Sequence, residues 1–257
     1  YTLEWAIYGG RLEVVRRLVT AGASLHLMEE DGEQRIERYN PIVLAVHEEQ
    51  PEIAVYLLGQ VRATEGVFEE DLFAAFMLSV EKNFSSVVQV CIEIGVDIDR
   101  STADGRTALI RSLQLELSEM AELLLASGAD PNHAGPEGLV PIFIAITQGN
   151  EGLVSLLIEE GADPATTVSP VYLSAPNSSA RSVDIEEGIT ALTYASELGH
   201  REIVRIIVES ESIQDPWLLT DAIAAAEAYE HEGIMHYLQQ YMQELESVEI
   251  REEQNRS

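Results

Sequence analysis

Three glycines, Gly95, Gly128 and Gly161, stand 33 residues apart and open the related phrases GVDID, GADPN and GADPA. Gly22 opens a fourth, GASL. Twenty-one residues before these glycines lie matching apolar stretches: YTLEWA at Tyr1, TALIRS at Thr107 and VPIFIA at Val140. NPIVLA at Asn40, AAFMLS at Ala74 and TALTYA at Thr190 fill the same slot. A fixed period of this length means that each copy is one thin supersecondary unit, too small to hide its own apolar face. It does so only against its neighbours, which rules out a single closed core and predicts a stack.

Inside each copy the pattern is helical. Leu153, Val154, Leu156 and Leu157, then Ile203, Val204, Ile206 and Ile207, recur at i, i+1, i+3 and i+4, an apolar face wide enough for two neighbours. Ala6, Ala45, Ala145 and Ala195 let paired helices approach closely, and the recurring glycine fits a left-handed cap that ends the second helix. Two copies, TALTYASELGHREIVRIIVES from Thr190 and YTLEWAIYGGRLEVVRRLVTAGAS from Tyr1, follow the pattern T-P-L-H-x-A-x-x-x-G-H-x-E-I-V-x-L-L-L-x-x-G-A-D. The chain therefore resembles the ankyrin repeat family. The resemblance implies an all-α solenoid of stacked helix-turn-helix units joined by β-hairpin loops.

Read this way, residues 1–257 form a single domain with units starting near 1, 40, 74, 107, 140, 190 and 221. The period breaks twice, in hairpin insertions at about 25–38 and 165–187. The second is rich in Ser, Thr and Pro, and Ser169-Pro170 with Ser178, Ser179 and Arg181 offers phosphorylation chemistry. Such insertions serve either as binding loops or as drifting solvent loops. Arg16 and Arg17 interrupt the apolar face of the first unit, as an amino-terminal cap would, and residues 244–257 read as a polar tail. The chain begins without Met, as an excised piece of a longer protein would.

A formal charge of −30 repels nucleic-acid phosphate and favours a basic partner. There is no run of 18 uncharged apolar residues to span a membrane, and the first residues lack the pattern of a signal peptide. Cys91, the one cysteine, falls with Val87, Val88 and Val90 on an apolar stripe and reads as core. With no partner for a disulfide, an intracellular setting, cytoplasmic or nuclear, is expected. Lys82 is the only lysine, for which genome composition, avoidance of lysine modification and chance are all open causes.

No Ser or Cys, His and acid converge in the sequence pattern, no phosphate-binding glycine motif is present, and His231 and His236 lie five apart, off a common helix face. We therefore expect no enzyme, no cofactor, no metal site and no small-molecule substrate. The family resemblance implies instead a protein-interaction module, contacting a protein or peptide through hairpin tips and the exposed ends of first helices on a concave face. Carried onto this chain, those positions are Tyr8, Tyr39, His47, Asp104, Arg106, Gln114, Leu115, Glu137, Leu139, Gln148, Glu187, Ile189, Glu197 and Leu198. Tyr39, Leu115, Leu139, Ile189 and Leu198 are apolar or aromatic where stacking does not ask for it. The alternative is a structural spacer or regulatory domain within a larger polypeptide.

Overall fold

The computed structural model describes residues 2–25, 40–61, 69–135, 138–169, 188–210 and 216–256. Helices dominate these residues and alternate in chain order between a first and a second member of a pair. The first members are α1 (Thr2–Tyr8), α3 (Pro41–His47), α5 (Glu69–Glu81), α7 (Ala108–Gln114), α9 (Pro141–Thr147), α11 (Ala191–Leu198) and α13 (Pro216–Ala228). The second members are α2 (Leu12–Thr20), α4 (Pro51–Val61), α6 (Ser85–Ile94), α8 (Ser118–Ala126), α10 (Glu151–Glu159), α12 (Arg201–Glu209) and α14 (Glu232–Arg256). Residues 244–256, which the sequence suggests as a polar tail, continue α14.

Two compact units result, Tyr1–Arg100 with Leu115–Gly128, and Ser101–Gln114 with Ala129–Ser257. In the first, α1, α3 and α5 pack in succession, as do α2, α4 and α6. In the second, α7, α9, α11 and α13 form one such row and α10, α12 and α14 another. Like thus packs on like, one repeat apart.

Local chemistry starts the first helices. The side chain of Asn40 accepts from Ile42 N at 2.9 Å, Thr107 Oγ1 accepts from Ile110 N at 3.3 Å, and Thr190 Oγ1 accepts from Thr193 N at 3.3 Å. Close approach of helices then rests on one small residue per repeat. Ala45, Ala145 and Ala195 are fully buried there, and Ser79 and Ser112 fill the same slot by turning their hydroxyls back to Ala75 O (2.6 Å) and Leu109 O (2.8 Å).

The buried face of the second helices is displaced from the expected one. Leu153, Val154 and Leu157 are buried, as are Ile203, Val204, Ile207 and Val208, and Val87, Val88 and Cys91. Leu156, Ile206 and Val90 are only half-buried. The reason is angular: at 3.6 residues per turn, a face made of i, i+1 and i+4 leaves i+3 about 105° from its centre. Burial pushes the Cys91 thiol up to about 12, so it stays protonated within that face.

The recurring loop phrase resolves residue by residue. Its glycine closes a Schellman motif, with Ala162 N donating to Leu157 O (2.8 Å) and Gly161 N to Ile158 O (3.0 Å). Its aspartate makes a local turn, Asp130 Oδ1 accepting from Asn132 N and Asp163 Oδ1 from Ala165 N, both at 2.9 Å. Its prolines, Pro131 and Pro164, are buried. Asn132 then ties one loop to the next, donating to Gly161 O and accepting from Asp163 N, both at 2.8 Å.

Candidate protein-binding surface

In the first unit, α1 ends on the expected Tyr8, 53% exposed, beside Trp5, 74% exposed, with ring centroids 6.2 Å apart. Sequence reasoning passed over Trp5. Its spacing of three from Tyr8 on one helix was the available signal. His47 is exposed at the end of α3 with Nδ1 3.0 Å from Glu48 Oε1. Leu115 is 37% exposed just after α7. Tyr39, Glu137 and Glu187 lie outside the described residues, as do residues 26–38 and 170–187 of the two insertions.

In the second unit, Asp104 and Arg106 sit on one tight tip. Arg106 Nη1 pairs with Asp104, whose carboxylate also accepts from Thr102 Oγ1, and Thr102 N donates to Arg106 O at 2.9 Å. A second tip is closed by Gly135 N donating to Leu139 O at 2.9 Å, which leaves the Leu139 side chain half-buried. Ile189 lies in the two-residue strand β2 (Ile189–Thr190), antiparallel to β1 (Thr167–Val168), with Val168 opposite it. This pairing joins the two ends of the second insertion and half-buries Ile189.

The ends of the first helices are laced together. Gln148 Nε2 donates to Leu113 O at the end of α7, and Thr147 Oγ1 lies 3.2 Å from the hydroxyl of buried Tyr194 on α11. His231 Nε2 lies 3.1 Å from Glu197 O. Gln148 is therefore partly committed to structure, whereas Gln114 is exposed and Glu197 and Leu198 half-exposed. His200 and His231 both lie against turn glycines: a methyl placed on Gly149 would stand 3.2 Å from His200 Cε1, and one on Gly199 2.6 Å from His231 Cε1. Burial pulls the His200 pKa below its ordinary value, Glu151 opposing the shift and His231 adding to it.

A depression between the starts of α12 and α14 is lined by Arg201, Glu232, Gly233, His236, Tyr237 and Gln240. Burial, aided by Glu209, raises the Tyr237 pKa, so its phenol stays protonated. Among the described residues no three His, Cys, Asp or Glu side chains gather as metal ligands, and no helix is long and apolar enough to cross a membrane.

No curated protein matches the chain. Solved structures do. The ankyrin repeat domain of Bcl-3, a member of the IkappaB protein family, superposes with a TM-score of 0.62 at 22% identity, covering 90% of this chain and 98% of that one. An ankyrin repeat domain from Acinetobacter baumannii AYE superposes with a TM-score of 0.59 at 19% identity, covering 82% and 97%. At such identities the likeness concerns the fold alone, an all-α ankyrin-repeat solenoid. The family model describing ankyrin repeats in sets of three matches residues 42–135, 72–168 and 117–218, and with most of its length so matched, the chain belongs to the ankyrin repeat family.

Proposed function

We propose that the chain is a non-enzymatic module that holds a basic peptide or protein segment at the hairpin tips and first-helix ends of its second unit. Ankyrin repeats are in general protein-protein interaction modules. The observation that carries the finer reading is electrostatic. The chain bears −30, with fifteen Lys and Arg against forty-five Asp and Glu, and four of those cations are engaged with acids nearby: Arg100 with Glu69 and Glu70, Arg106 with Asp104, Lys82 with Glu49, and Arg205 with Glu202 and Glu209. The surplus carboxylates stay uncompensated, and their field draws a cationic segment in and holds it less well as salt rises. Half-exposed Leu139, Ile189 and Leu198 supply apolar anchors, and exposed Asp104 and Gln114 belong to the same unit. The single buried thiol, with no second cysteine, accords with a reducing, intracellular setting.

Fluorescence anisotropy with labelled peptides of matched length, one basic with leucine anchors and one acidic, tests this. The basic peptide is expected to bind, to weaken as salt rises, and to be lost in Leu139→Arg/Ile189→Arg while the helical circular dichroism persists. Equal binding of both peptides, or of the basic peptide to wild type and the folded variant, refutes the assignment.

A further inference from the structure

The left-handed residue between the two helices of a pair, Gly10 in the first repeat, then Glu49, Asn83, Glu116, Gly149, Gly199 and Glu230, sets a common register. Trp5 stands five positions before it. Its counterparts Leu44, Ile144 and Tyr194 are at most 7% exposed, and Leu78 and Arg111 are half-buried, whereas Trp5 is 74% exposed. Val14 stands four positions after it. There Ile53, Val87, Met120, Leu153 and Ile203 are at most 2% exposed, and Val14 is 39% exposed. Eight positions after it, Leu57, Cys91, Leu124, Leu157 and Ile207 are fully buried, and Leu18 is only half-buried. The first repeat thus leaves open an apolar face that its successors hide.

What hides that face elsewhere is the preceding helix pair. The Tyr194 ring on α11 lies 5.8 Å from that of Phe143 on α9, and its hydroxyl lies 3.2 Å from Thr147 Oγ1. Tyr56 on α4 is covered by Arg16 of α2, whose guanidinium lies 5.2 Å from the ring centroid. Arg16, which in sequence reads as part of an amino-terminal cap, therefore turns toward α4. Of the two arginines only Arg17, the counterpart of Tyr56, belongs to the outer face, and it is exposed. The last repeat shows what an end without a stacking face looks like. The places that Phe143, Thr147 and Arg16 use to cover a following pair are held there by Ala224, Ala228 and His236, all exposed and none of them large and apolar.

We propose that the outer face of α1 and α2 is a stacking surface whose occupant is a further helix pair of the same repeat type, carried by the polypeptide ahead of Tyr1. Chain order favours this source, because α9 covers α11 and α2 covers α4, each the earlier member in sequence. A second copy stacked head to tail would bring only Ala224, Ala228 and His236 to Trp5 and Val14, which buries little apolar area. The incoming pair sets an apolar side chain on Trp5, as Phe143 does on Tyr194, and an acid or acceptor near Arg17, in the place from which Arg16 reaches Tyr56. This surface is distinct from the hairpin tips of the second unit.

Hydrogen exchange read by mass spectrometry tests it, comparing residues 1–257 with the full-length polypeptide. The amides of Thr2–Thr20 are expected to exchange about tenfold or more slowly in the full-length polypeptide, because α1 and α2 no longer open from a free end. Val14→Asp sharpens the comparison. In residues 1–257 the new carboxylate lies at the surface in the first turn of α2, where the helix dipole favours it, so exchange and helical circular dichroism stay unchanged. In the full-length polypeptide the same change buries a charge and returns α1 and α2 to fast exchange. The proposal falls if Thr2–Thr20 exchange equally in both polypeptides, if Val14→Asp acts alike in both, or if no helix pair stands ahead of Tyr1. It falls also if residues 1–257 sediment as a dimer that Val14→Asp dissociates, since the occupant is then a second copy.

Discussion

Two kinds of turn recur in this molecule, and both place one residue in the left-handed region. At the exits of α2, α6, α8 and α10 the residue is always glycine: Gly22, Gly95, Gly128 and Gly161, with φ from 90° to 103°. Between the two helices of a pair it varies: Gly10, Glu49, Asn83, Glu116, Gly149, Gly199 and Glu230, with φ from 57° to 76°. The difference lies in the angle. A residue with a Cβ tolerates φ of about 50–70° at modest cost, but not values near 95°. The exits therefore demand glycine on backbone grounds alone, since a methyl at Gly128 or Gly161 would meet no atom within 4 Å. The pair turns demand it only where a neighbour leans in, as His231 does on Gly199.

That contrast can be broken most forcefully at Gly199. Gly199→Ala combines strain with a methyl 2.6 Å from His231 Cε1, and a loss of about 2–4 kcal/mol is expected. Adding His231→Ala should bring the effect of Gly199→Ala down to about 1–2 kcal/mol, the strain alone. Urea unfolding followed by circular dichroism closes this double-mutant cycle, and a strictly additive result would show that the imidazole is not the obstacle.

A smaller effect separates the angles themselves. Gly128→Ala should cost about 1–2 kcal/mol with no clash to relieve. Glu116→Gly, at φ 57°, should change stability by less than about 1 kcal/mol, because relief of strain is offset by the entropy of a freer unfolded chain. Equal and large losses in both would overturn the argument from φ.

The smallest effect is the dependence on pH at His200. Its folded pKa lies below the unfolded value, so the unfolded chain takes up a proton first as pH falls. The stability that neutral His200 contributes is present above about 6.5 and drains away as pH drops toward the lower folded value. His200→Gln should flatten that part of the profile while still filling the space beside Gly149, because Gln50 fills the same space beside Gly10, its Oε1 3.1 Å from where a methyl on Gly10 would stand. A proton NMR titration that puts the His200 midpoint at or above about 6.5, the ordinary histidine value, would contradict the burial argument.

Much of this was legible in the chain itself. The exit glycines, the small residues between helices and the core position of Cys91 could be read because each is forced by one local requirement. Leu156 and Ile206 were misplaced because an apolar letter marks a helix face but not its centre, and neighbours chose a centre nearer Val154 and Leu157, Val204 and Ile207. The left-handed turns at Glu49, Asn83, Glu116 and Glu230 carry no glycine to announce them. Among the expected contact residues, Gln148 also serves the frame, since one of its amide N–H groups is donated to Leu113 O.

By itself the sequence determined the repeat, the helix pairs, the all-α class and the negative field, since periodicity, capping and formal charge are properties of residue order and type. Only the tertiary structure decided which apolar residues are covered, which polar groups are already satisfied, and which glycines a neighbour makes necessary. Those outcomes depend on what stands a few ångströms away, and residues 29 and 47 positions apart in the chain supply it, as Asn132 with Gly161 and Thr147 with Tyr194 show.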